Sequence, residues 1–162
     1  MDITEISPTI AEIAVAIAGF SAVVVVLRKK PIREWHAYDR FNLRMLLQVA
    51  ALTIFFSILP FGALAVLDSP VAWKVSLLVY GFVHLLDVSS FIVFYPHEWK
   101  RVNRFAAGVG VLIALVQIAS GLFAAEGAIQ VIYLMALVWH LAISSLGFVS
   151  LVYMPGVENE SQ

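Results

Sequence analysis

Apolar residues in this chain come in long unbroken runs. Five stretches, at about 8–27, 44–67, 71–95, 105–125 and 128–153, are each long enough to cross a bilayer as a helix, which takes roughly 20 residues. Only Asp68-Ser69-Pro70 separates the second run from the third, and only Glu126-Gly127 the fourth from the fifth. Links this short predict antiparallel neighbours.

The polar positions between the runs are uneven. Arg28, Lys29, Lys30, Arg33, Arg40 and Arg44 fall in or beside the first link, and Lys100, Arg101 and Arg104 in the third. Basic links stay on the cytoplasmic side of a membrane. With five spans, nine of the ten basic residues share one side; Lys74 alone lies near the other, where its stem can snorkel. The expected topology is therefore N-terminus outside and C-terminus inside. The leading MDITEIS is acidic, unlike the basic start of a secretory signal.

The two basic links resemble one another. Glu34-Trp35, three residues, then Asp39-Arg40-Phe41 is followed 64 positions later by Glu98-Trp99, three residues, then Asn103-Arg104-Phe105. GALAV (62–66) is echoed by GAIQV (127–131), and HLLDVSS (84–90) by HLAISS (140–145). One reading is a parallel repeat of helical hairpins, spans one–two and three–four, with a lone fifth helix. The other is convergence, because interfaces favour Trp, Phe and Arg. Pro31 suits a helix start. Ile32, Trp35, Tyr38 and Phe41 or Asn42 then recur at helical spacing, which predicts a short surface helix running into span two. Trp35 and Trp99 would sit at headgroup depth, with Arg28, Lys29, Lys30 and Arg33 against anionic lipid.

Composition agrees with this picture. The chain is 62% hydrophobic and 13% charged, with a mean hydropathy of +0.94. A soluble domain of 162 residues cannot hide that much apolar surface, so the surplus faces lipid. A net charge of −1 gives no support to nucleic-acid binding. The absence of cysteine removes disulfides, thiolate metal sites and cysteine nucleophiles.

Against this background the polar residues within the spans stand out. In span three Tyr80, His84 and Asp87 share a face, since residues three or four apart are neighbours. Span five runs parallel to span three and carries His140 at a similar depth, on a face with Tyr133, Ala136, Ser144 and Gly147. Span one adds Glu12, and span four adds Gln117 on a stripe with Ala107, Gly110, Ala114 and Gly121. A carboxylate at mid-membrane costs about 2.5–3.5 kcal/mol on insertion scales, so Asp87 should face the bundle interior or water. Three roles are open. Glu12, Tyr80, His84, Asp87, Gln117 and His140 could line a proton or ion path. His84 and His140 could ligate one b-type haem, or a metal with Asp87. Or these groups satisfy each other, or Ser144, Ser145 and Gln117, across helices.

Small residues predict close packing. Ala11, Ala14, Ala18 and Ala22 form a stripe on span one, and Gly110 lies in that of span four. They serve the bundle itself or a subunit interface in a homo-oligomer or larger complex. Pro60, deep in span two, should kink it. No phosphate loop, HExxH, G-x-S-x-G or TVGYG-type filter is present, and an enzyme is not expected.

IAVAIAGFSAVVVVL (13–27) followed by EWHAYDRFNLR (34–44) resembles a pattern in small, uncharacterised bacterial multipass proteins. The resemblance covers about the first 60 residues and implies a prokaryotic inner (plasma) membrane protein with lipids as partners. The expected fold is all-α: a five-transmembrane-helix bundle as a single domain over 1–155, then a disordered acidic tail at 156–162. The expected function is conduction of a proton or small ion. A non-catalytic subunit of a larger complex and a haem-binding electron-transfer subunit are the alternatives.

The topology is directly testable. Cysteines introduced at Ser69 and Glu126 should react with an impermeant thiol reagent from outside, and one at Lys100 only from inside. Labelling at position 100 from the periplasmic side would rule out this arrangement.

Overall fold

Each apolar run is a helix in the computed structural model, which describes residues 3–28, 30–94 and 101–153. α1 spans Ile3–Leu27, α2 Ala37–Leu64, α3 Ser69–Phe94, α4 Arg101–Phe123 and α5 Glu126–Tyr153. All five are long and apolar enough to cross a membrane. Large apolar side chains line the outside of the bundle, among them Phe123 at 86% and Leu86 at 69% exposure, as a lipid-facing surface requires.

Most helices begin before the apolar runs do. α2 starts at Ala37 rather than near 44, and α1 at Ile3 rather than 8. Backbone hydrogen bonding carries a helix through polar turns that a hydropathy pattern excludes. In α2 those turns are also buried: Asp39 and Asn42 are 3% and 1% exposed.

The expected surface helix is reduced to one 3-10 turn, Ile32–Glu34, after Pro31. Trp35 is extended (φ −72°, ψ 154°), and α2 begins two residues on. The indole explains the break. It folds inward against Leu43 and Leu151, and its N–H donates to the Lys30 carbonyl at 2.8 Å. Trp35 is therefore buried within the bundle. Arg28 lies 4.3 Å over the indole ring, pairs with Asp39 at 2.8 Å and donates to the Leu151 carbonyl at 2.6 Å. It ties the ends of α1, α2 and α5 together rather than reaching for lipid. Arg33 and Lys30 are exposed. Lys29, Trp99, Lys100 and the 156–162 tail lie outside the described residues.

The pairs joined by the shortest links are not the most extensively packed. α3 lies along α4, α2 along α5, and α1 on α2 and α5, while α2–α3 and α4–α5 touch less. Glycine accounts for the two closest pairs. A Cβ at Gly81 would stand 2.9 Å from Ile118 and one at Gly121 2.6 Å from Leu78, so α3 and α4 approach through bare backbone. A Cβ at Gly147 would meet Leu46 at 3.1 Å, which sets α5 against α2. On α1 the buried stripe is Ser7, Ile10, Ala14 and Ser21. Of the alanine stripe expected there, Ala14 alone is fully buried; Ala11 and Ala18 are half-buried and Ala22 is exposed.

α2 continues as helix through Pro60, which is buried. Proline has no N–H, so the carbonyl four residues earlier loses its helical donor. That carbonyl belongs to Phe56, and the Tyr133 hydroxyl of α5 donates to it at 2.6 Å. The next carbonyl, of Ser57, accepts from the Ser7 hydroxyl of α1 at 2.8 Å. Neighbouring helices thus supply donors where α2 is weakened, as hydrocarbon surroundings demand.

Tyr133→Phe should therefore cost about 1 kcal/mol. The cost should shrink in a Pro60→Ala background, where residue 60 again supplies an N–H. Unfolding of the four proteins in mixed micelles measures the cycle. An equal cost in both backgrounds would detach Tyr133 from the proline.

Candidate functional site

The polar residues of α3 meet their counterparts at the centre of the bundle. The Tyr80 hydroxyl and His140 Nδ1 are 2.8 Å apart, and the His84 and His140 rings are in edge contact, centroids 4.2 Å apart. His84 Nδ1 donates to Gln117 Oε1 of α4 at 2.8 Å. Asp87 accepts from Gln48 Nε2 of α2 at 2.5 Å. Tyr80, His84, Gln117 and His140 are at most 2% exposed and Asp87 is 8% exposed. Helical periodicity explains the convergence. Residues 80, 84 and 87 share one face of α3, and 133, 136, 140, 144 and 147, all buried, share one face of α5.

Five of the six expected path residues are therefore brought together; Glu12 is exposed on α1, apart from them. Ser144 and Ser145 do not partner the cluster. Their hydroxyls donate to carbonyls one turn back on α5, at 3.1 and 2.8 Å. Gln48 was not among the residues singled out from sequence, although an amide inside an apolar run is a signal of the same kind as Gln117. Trp139 was also missed, because a tryptophan in such a run reads as packing.

A cavity of about 270 Å³ opens beside the cluster. His84, Asp87 and His140 line it, and it continues past Met45, Val88, Ala107 and Ile143 to Tyr38, Phe91, Asn103 and Ser150. Those last four lie in the first turns of α2 and α4 and the last turns of α3 and α5. The cavity thus extends towards the end of the bundle where the first link lies. Nearly all of its wall is apolar, with His84, Asp87 and His140 at one end and Tyr38, Asn103 and Ser150 at the other.

Beyond the histidines, on the other side, the bundle is filled. Tyr80 stacks on Phe56 at 4.1 Å, Tyr133 lies 5.3 Å from Tyr80, and Trp73 meets Tyr133 edge-on at 5.6 Å. All four rings are at most 2% exposed.

The imidazoles do not fit a shared haem as they stand. Two axial ligands must flank a macrocycle, whereas these rings touch, with centroids 4.2 Å apart. Among the described residues, no three His, Asp or Glu side chains group as a metal site would require. Gly110 lies inside the bundle, against Val88, His84 and Trp139, so the small-residue stripe of α4 packs internally.

The chain matches no protein-family model, no curated protein and no solved structure.

Proposed function

We propose that this five-span protein, with its N-terminus outside and its basic links inside, holds a small, largely apolar molecule within the plane of the membrane. The observation that carries this reading is the cavity of about 270 Å³ that stops at His84, Asp87 and His140. Ligand sites are concave, mostly apolar, and provided with a few convergent polar groups. An apolar cavity of about 150 Å³ admits benzene. This one has room for an aromatic ring with a short alkyl chain.

Hexylbenzene is a direct probe. Titrated into the protein in lipid nanodiscs, it should shift the methyl resonances of Val88, Ile143 and Leu146 saturably. Ala107→Phe, which fills the cavity from α4, should abolish the shifts and leave the fold intact. Shifts that grow without saturation, and are the same in Ala107→Phe, would mean partition into lipid and end this reading.

A proton path is the second reading. It is favoured by the contact series from His84 through His140 to Tyr80, with Asp87 one turn along α3 from His84. It would also need the aromatic layer of Phe56, Trp73, Tyr80 and Tyr133 to open. Asp87→Asn keeps the shape and the hydrogen bonding but cannot titrate. If the path operates, this variant should fold normally and lose proton flux in liposomes. A parent protein without flux under any gradient would exclude it.

A further inference from the structure

We infer that the deep end of the cavity selects a hydroxyl group, so that the favoured occupant is a phenol-like or alcohol amphiphile rather than a hydrocarbon, ether or ketone. This rests on the binding reading above and adds a ligand class to it.

Two nitrogens carry the inference. A methyl placed on Gly110 would lie 3.5 Å from His84 Nε2 and 3.7 Å from Trp139 Nε1. Both atoms therefore border the bare backbone of Gly110, with Val88 Cγ2 beside them at 3.1 Å from the same position. Gly110, His84 and Trp139 all line the cavity. Their hydrogen-bonding roles differ. Gln117 Oε1 can only accept, so its 2.8 Å contact keeps the proton on His84 Nδ1. His84 Nε2 then offers a lone pair. The indole Nε1 of Trp139 can only donate. One acceptor and one donor beside the same space match a group that both accepts and donates through a single oxygen. A hydroxyl does this: its oxygen takes the Trp139 N–H, and its proton goes to His84 Nε2. An ether or ketone oxygen answers Trp139 but leaves the imidazole lone pair without a donor. A hydrocarbon leaves both polar groups unpaired in an apolar wall, which is costly. His84 is 1% exposed, with Tyr80 and His140 packed against its ring, so it is held in place before any ligand arrives.

The test uses three probes of nearly equal size in nanodiscs: para-hexylphenol, para-hexylanisole and hexylbenzene. Affinities are corrected for partition into lipid. The phenol should bind about tenfold more tightly than hexylbenzene, and the anisole much less tightly than the phenol. Trp139→Phe and Gly110→Ala should each bring the phenol down to the hydrocarbon's level. If Trp139→Phe does not fold, the parent's indole N–H resonance decides, since it should move downfield with the phenol and stay with hexylbenzene. Three equal affinities would overturn the hydroxyl selection and leave the cavity reading standing. A phenol preference that survives both substitutions would overturn it as well. Saturable binding of none of the three would remove the cavity reading, and the selection with it.

Discussion

A backbone carbonyl without a donor cannot stand in hydrocarbon, and the bundle is organised around that constraint at Pro60. The proline frees the carbonyl of Phe56 in the middle of α2. Tyr133 reaches it from α5, and Ser7 reaches its neighbour, Ser57, from α1. The same three helices converge again at the far end of α2, where Arg28 joins Asp39 to the last turn of α5. Between these two points Gly147 lets α5 close on Leu46. The α1–α2–α5 layer is thus fixed at its middle and at one end by polar contacts, and between them by glycine packing. α3 and α4 form a second unit, held through Gly81 and Gly121.

The same constraint separates structural polar groups from available ones. Asp87 has Gln48, and Ser144 and Ser145 have the carbonyls of their own helix. The Tyr80 hydroxyl has His140, and His84 Nδ1 has Gln117. These contacts stabilise the fold and orient the rings. Capacity is left at buried atoms such as Ser76 Oγ and Gln117 Nε2, and at the cavity wall, where His84 and Trp139 border Gly110. The proposed binding site lies where satisfaction is incomplete and space remains.

Much of this was legible in the sequence. Length and hydropathy gave the five helices, because membrane spans must be long and apolar. Spacing put Tyr80, His84 and Asp87 on one face, and the two links between spans three and five made those spans parallel, which put His84 level with His140. Other features depend on pairings across helices, which spacing within one helix does not encode. Trp35 has the amphipathic character of an interface anchor, yet the Arg28 guanidinium and the Lys30 carbonyl draw it inward. On α1 the alanines suggested the packing face. The buried stripe instead passes through Ser7, whose hydroxyl is needed at Ser57. Helix starts were set too late because polar residues such as Asp39 can be buried once paired. The partnership between Tyr133 and Pro60 joins two residues that looked unrelated along the chain.

The place of α5 has a consequence for biogenesis. It follows the other four described helices in the chain, yet it touches each of them. Until it arrives, α2 carries an exposed carbonyl at Phe56, and the contact that Arg28 makes with Leu151 has no partner. The contacts that complete α2 and Arg28 therefore depend on α5.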